Sequence, residues 1–192
     1  IFSYLISVAK TYAVDITADR TISSSSDGDQ YNIKTNNDID VIVTNNSTLE
    51  RNQKIFNVSA ASLTGSSITI HLGSSVIAET NSIFSNGAEL TITNTGTIEA
   101  TNSKAINVSN SDGVSITNNN NGVIKSNNNT ILGDAGTGAD NVTIDNSGEI
   151  YTTATGTESS AIVFANNDTG NTITNNSGGE IYSSGSESTI VL

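Results

Sequence analysis

The chain has 192 residues, with seven Lys and Arg against nineteen Asp and Glu, and no Cys, Met, Trp or Pro. The formal net charge of −12 argues against a nucleic-acid partner, whose affinity depends on cations neutralising phosphates, and against an anionic membrane surface. Absence of Cys excludes a disulfide framework and a thiolate metal site, and no apolar run is long enough to span a bilayer as a helix.

Residues 1–13, IFSYLISVAKTYA, stand apart from the rest of the chain. They are apolar, end in small residues, and read either as the remnant of a secretory signal peptide or as an N-terminal cap. From Val14 onward one phrase recurs. It can be aligned on the apolar residue just before a turn: Ile16, Val43, Ile70, Ile92, Ile116, Ile144 and Ile173, at intervals of 22–29 residues. Two positions earlier stand Val14, Val41, Ile68, Leu90, Val114 and Val142, the period-two alternation of a strand with one buried face. Two positions later, Asn45, Asn94, Asn118, Asn146 and Asn175 form a recurring Asn position.

A second apolar point comes after each turn, at Ile22, Leu49, Val76, Ile98, Ile124, Ile150 and Ile181. In the units of Ile116 and Ile173 it comes two residues late. A third cluster closes each unit, beginning at Tyr31, Phe56, Ile83, Ile106, Ile131, Ile162 and Ile190. Length varies most between the second and third clusters, where loops such as Ser23 to Gln30 and Thr152 to Ser160 sit.

Three apolar faces, polar corners and one variable loop per unit predict an all-β parallel β-helix of about seven coils. Coils stacked at the strand spacing would make a rod roughly 30 Å long. A hairpin sandwich is the alternative fold. The Ile, Val and Leu rows should stack inward. The Asn row reads as structural: Asn tolerates a left-handed corner and its amides can bond along the axis as a ladder.

The phrases LTITNTGTI (90–98), KAINVSN (104–110), VTIDNSGEI (142–150) and TITNNSGGEI (172–181) resemble the passenger repeats of bacterial autotransporters, the type V secreted surface proteins. The resemblance covers Val14 to Leu192. It implies a secreted or surface-displayed β-helical rod with a structural or adhesive role, attached through an outer-membrane barrel in a longer protein. Partners would be host or environmental glycans or cell-surface proteins, met through the variable loops.

Two other functions compete. Some β-helices are polysaccharide lyases or hydrolases, which need clustered carboxylates or a carboxylate beside a base. The candidates here are Asp27 and Asp29, Asp134 and Asp140, with Arg20, Arg51 and the lone His71. No carboxylate row recurs on neighbouring coils, so the sequence assigns no catalytic, cofactor-binding or metal residues. Asp27-Gly28-Asp29 lacks the spacing of a calcium loop. The other rival is ice binding, suggested by the outward pairs around Ile92 and Ile173 (Thr91 with Thr93, Thr172 with Thr174). Ser115 with Thr117 and Thr69 with His71 are near misses, and Asp15, Ile42 and Asp145 interrupt the array.

Overall fold

The structure, a computed structural model, describes residues 13–34, 38–44, 46–59, 63–87, 89–133, 138–165 and 167–192. The proposed signal remnant or cap at 1–13 lies outside these, apart from Ala13. So do Asn45 and Asp134.

Among the described residues every regular element is a strand, and all pairing is parallel. The first sheet holds eight strands and the second and third hold seven each. The chain visits the three sheets in turn and then begins the next coil, which makes the fold a parallel β-solenoid. Strands are two to five residues long, as expected when each coil turns three corners. Gly, Ser, Thr and Asn offer little helix propensity, and the apolar period of two needs only short strands.

Each sheet carries an unbroken inward column. In the first, Val14, Tyr31, Phe56, Ile83, Ile106, Ile131, Ile162 and Ile190 are successive partners. In the third, Leu49, Val76, Ile98, Ile124, Ile150 and Ile181 are. In the second, Val41, Ile68, Ile92, Ile116, Ile144 and Ile173 are. The three columns meet in one core, where Ile92, Ile98 and Ile106 have no exposed surface.

The second sheet corrects the sequence alignment. Ile70 lies opposite Asn94, not Ile92. The column therefore runs Ile22, Val43, Ile70, Asn94, Asn118, Asn146, Asn175. Ile22 belongs here and not with Leu49, and Ile16 pairs Ile33 in the first sheet. The cause is corner length. The corners after Val43 and Ile70 are four residues long, 44–47 and 71–74, like those at 119–122 and 176–179, whereas 95–96 and 147–148 are two. With an apolar side chain at the Asn position and two extra corner residues, the spacing to the next apolar point is matched by the wrong residue. A shift of two preserves inward and outward parity, so Val43 and Ile70 remain fully buried. Leu72 does not share the Asn column; it is 63% exposed at a corner tip.

The Asn column is a ladder. Asn94 Nδ2 donates to Asn118 Oδ1, Asn118 Nδ2 to Asn146 Oδ1, and Asn146 Nδ2 to Asn175 Oδ1, each at 2.8 Å. The same Nδ2 atoms reach backbone carbonyls of Gly96 and Val123, Gly122 and Glu149, Gly148 and Glu180 at 3.1–3.2 Å. These buried amides end their strands with no left-handed backbone. The left-handed Asn residues lie elsewhere: Asn46 and Asn121 at the tips of longer corners, and Asn110 and Asn141 in other turns. Beside the ladder the corner closes on glycine because the rungs approach closely: a Cβ at Gly96 would strike the carbonyl oxygens of Ser74 and His71, and one at Gly148 that of Gly122.

Substitutions on and off the columns test this register. Ile92→Asn places an amide between Ile68 and Ile116 and should cost about 3–5 kcal/mol, whereas Leu72→Asn at its exposed tip should change stability by less than about 0.5 kcal/mol. Thermal melts by circular dichroism compare them, and equal damage would refute the pairing. Asn118→Ala severs the ladder on both sides and should cost about 2–4 kcal/mol. Asn175→Ala, on the exposed last rung, should cost less than half as much in the same melts.

Candidate functional site

The corner between the third and first sheets carries an open cleft of 570 Å³, lined by Gln30, Gln53, Lys54, Asn57, Thr80, Asn81 and Ser103. Three successive coils supply its wall through the connections 52–55, 79–82 and 101–105. Because the first-sheet column is in register, the residues just before Phe56, Ile83 and Ile106 meet at this corner. Ser103 Oγ donates to Asn81 Oδ1 at 3.4 Å, and Gln53, Lys54 and Thr80 complete the wall.

The floor is a fixed amide network. Arg51 Nη1 donates to Gln30 Oε1 at 2.6 Å and to the carbonyl of Lys54 at 3.0 Å. Gln30 Nε2 and Asn57 Nδ2 both donate to Asn32 Oδ1, at 2.6 and 3.2 Å, and Asn32 Nδ2 donates to Asp15 Oδ1. Arg51 is only 9% exposed, and its buried Nε has no hydrogen-bond partner. Burial lowers its pKa, and Asp29 nearby acts the other way. Lys54 reaches across the corner to Phe84, which points out of the first sheet, with Nζ 3.5 Å from the ring centroid. Such placement over an aromatic face is favourable for a cation. Desolvation lowers the Lys54 pKa. Among the described residues no carboxylate lies within ion-pair distance of Lys54, while Lys34, Lys104 and Lys125 each have one.

The long loop 153–161 docks next to the last of these connections. Lys104, next to Ser103, pairs with Glu158 at 3.5 Å, and Asn128 Nδ2 donates to the same carboxylate at 2.7 Å. The loop thus reaches back two coils.

The sequence candidates fall elsewhere or serve the fold. Asp140 Oδ1 accepts from Thr169 N and Oγ1, at 2.6 and 3.0 Å. His71 is exposed at a corner, with Nδ1 3.1 Å from Thr44 Oγ1. Arg20 lies over the Tyr31 ring, and the strand Ser26–Asp27 edges the third sheet. Among the described residues no three His or acidic side chains converge. Of the residues named from sequence, only Arg51 supports the cleft. Gln53, Lys54, Asn81 and Ser103 were missed because they sit in loops of different coils. Aligning the loops backward from the third cluster, rather than forward from the Asn turn, would have placed them together.

The register also changes the outward face of the second sheet. Ser67 with Thr69, Thr91 with Thr93, Ser115 with Thr117, Thr143 with Asp145 and Thr172 with Thr174 now stand in two columns. Thr69 takes the place the sequence alignment gave to His71. Asp145 still interrupts, and its carboxylate accepts from Asn176. On the third sheet the matching outward positions are Glu99, Lys125, Tyr151 and Tyr182, so the hydroxyl face is a property of one sheet and not of composition alone.

Comparison with family models, curated proteins and solved structures returned no match.

Glu158 offers a pH test. Its carboxyl is held below the usual carboxylate range, chiefly by the hydrogen bond from Asn128 and then by Lys104. A depressed carboxyl contributes its docking at pH above its ordinary value, and loses it as pH falls through the lower folded value. The loop should therefore stay docked at neutral pH and release in acid, below the ordinary carboxyl range. In an NMR titration of the side-chain carboxyl, Asn128→Ala should raise the Glu158 midpoint more than Lys104→Met does. Midpoints unmoved by both would break the assignment.

Proposed function

We propose that this chain is a secreted or surface-displayed rod with a structural and adhesive role, like the autotransporter passengers its repeats resemble, and that the corner cleft contacts glycans or cell-surface proteins. The observation that carries this reading is the cleft: amides, hydroxyls and one ammonium from three coils, held on a corner by in-register strands. Sugars are recognised by such groups, which offer donors and acceptors in fixed positions. Attachment to the outer membrane through a barrel is part of the same reading. We infer a binding role and not a catalytic one, supported by the structural use of Asp140 and by the exposed corner placing of His71 against Thr44.

A second reading has support from the hydroxyl columns of the second sheet. Their spacing along the axis is set by the rungs at about 4.8 Å, which makes a regular lattice of short polar groups that ordered water at an ice surface could join.

Three assays separate these readings. Labelling of intact cells expressing the full gene should mark the rod outside the cell, and a glycan array should retain the purified rod. Incubation with polyuronides and calcium should give no turnover; turnover abolished by Asp140→Asn would favour an enzyme. Inhibition of ice recrystallisation lost in Thr93→Tyr, with no glycan retained, would favour the second reading.

A further inference from the structure

We propose that the cleft selects a glycan carrying a single acidic sugar, with Lys54 as the residue that meets its anionic group. This rests on the glycan-binding reading above and narrows it.

The chain carries a net charge of −12 and only seven Lys and Arg. Three of these form ion pairs with Asp15, Glu158 and Glu99. Two of the remaining cations, Arg51 and Lys54, meet at one cleft, and burial disfavours the charged form of both. Arg51 has Asp29 nearby, but among the described residues no carboxylate lies within ion-pair distance of Lys54; a cation so placed in a partly desolvated site costs stability, and an incoming anion offsets that cost by a charge-assisted hydrogen bond.

The two cations take different parts. Arg51 lies beneath, nine-tenths buried, with two of its bonds spent on Gln30 and the Lys54 carbonyl. It sets the backbone at Lys54 and the side chain of Gln30, and is a positioning residue. Lys54 is half-buried and lines the cleft beside Gln53, Asn57 and Asn81, with its ammonium resting on the Phe84 ring, from which the flexible side chain can swing to a ligand. It is the group that can reach an anion, while the amides around it take sugar hydroxyls.

The surroundings limit the ligand to few charges. Round the corner, a groove of 200 Å³ on the third sheet is lined by Glu50 and Glu79 as well as Arg51. A polymer charged at every unit would pass these carboxylates and meet the negative field of the whole rod. One acidic sugar in an otherwise neutral oligosaccharide would place its charge on Lys54 and keep neutral units along the remaining wall. The anionic group can be a carboxylate or a sulfate ester, since both accept from an ammonium.

Calorimetry on the whole chain tests this, with sialyllactose, sulfated lactose and lactose as probes and heparin as a polyanion. Sialyllactose or sulfated lactose should bind about tenfold more tightly than lactose, and which of the two does so identifies the anion. Lys54→Met removes the ammonium and should erase that preference, lowering affinity for the acidic sugar about tenfold. Gln53→Glu adds a like charge at an exposed position and should weaken the acidic sugar selectively, giving a second route if Lys54→Met does not fold. Equal affinity for lactose and its acidic derivatives, untouched by either variant, would overturn the inference and leave the glycan-binding reading standing. Tightest binding to heparin would overturn the single-charge selectivity. Binding of none of the four would overturn both.

Discussion

Backbone hydrogen bonds between parallel rungs fix the rise per coil at about 4.8 Å, and every other feature of this molecule has to fit that repeat. A side chain in one coil meets the side chain at the same height in the next, so each inward position is a choice made for a whole column. Ile, Val and Leu satisfy this by packing on their like. An amide satisfies it differently. Buried without partners it would cost about 1–3 kcal/mol, yet four Asn in one column supply donors and acceptors to one another and to the carbonyls at the corner. The column tolerates a change of chemistry only where the corner can end it. Asn94 stacks on Ile70, and there its Oδ1 accepts from Gly96 N instead.

The same repeat explains where variation gathers. Corners absorb two extra residues without disturbing the columns, as 119–122 does beside 95–96. The connections from third to first sheet absorb more, and one of them, 153–161, folds back over earlier coils through Glu158. Short connections beside it leave room for the cleft. The rigid part of the molecule thus determines where the loop side chains stand, and the loops decide what they offer. Lys54, held over Phe84 by a connection of only four residues, illustrates the division.

Most of the architecture was legible because solenoid cores need period-two strands at a steady interval, and these survive in the sequence. The first-sheet column from Tyr31 to Ile190 and the third-sheet column from Leu49 to Ile181 could be read directly. The second sheet misled at Val43 and Ile70, where apolar residues occupy the ladder position and the corner is longer. Sequence spacing cannot tell a longer corner from a shifted strand when both residues are apolar. Ile16 was misplaced for a related reason: alternation alone cannot say which sheet its strand joins, and Val14 and Ile16 pair Tyr31 and Ile33. The cleft was hidden more deeply. Its residues share no motif, and their proximity exists only once the rungs are stacked.

The ladder also gives the rod a direction. Each Nδ2 faces backbone carbonyls that can only accept, so no amide can turn round, and all of them donate toward the higher-numbered coil. Their dipoles add head to tail, as peptide dipoles do in a helix. Asn94 presents an acceptor toward the low-numbered end and Asn175 a donor toward the other. The two ends of the column are therefore chemically unlike: the Asn94 end is closed by Ile70 and the Gly96 amide, whereas a coil meeting the Asn175 end would be welcomed if it offered an amide oxygen.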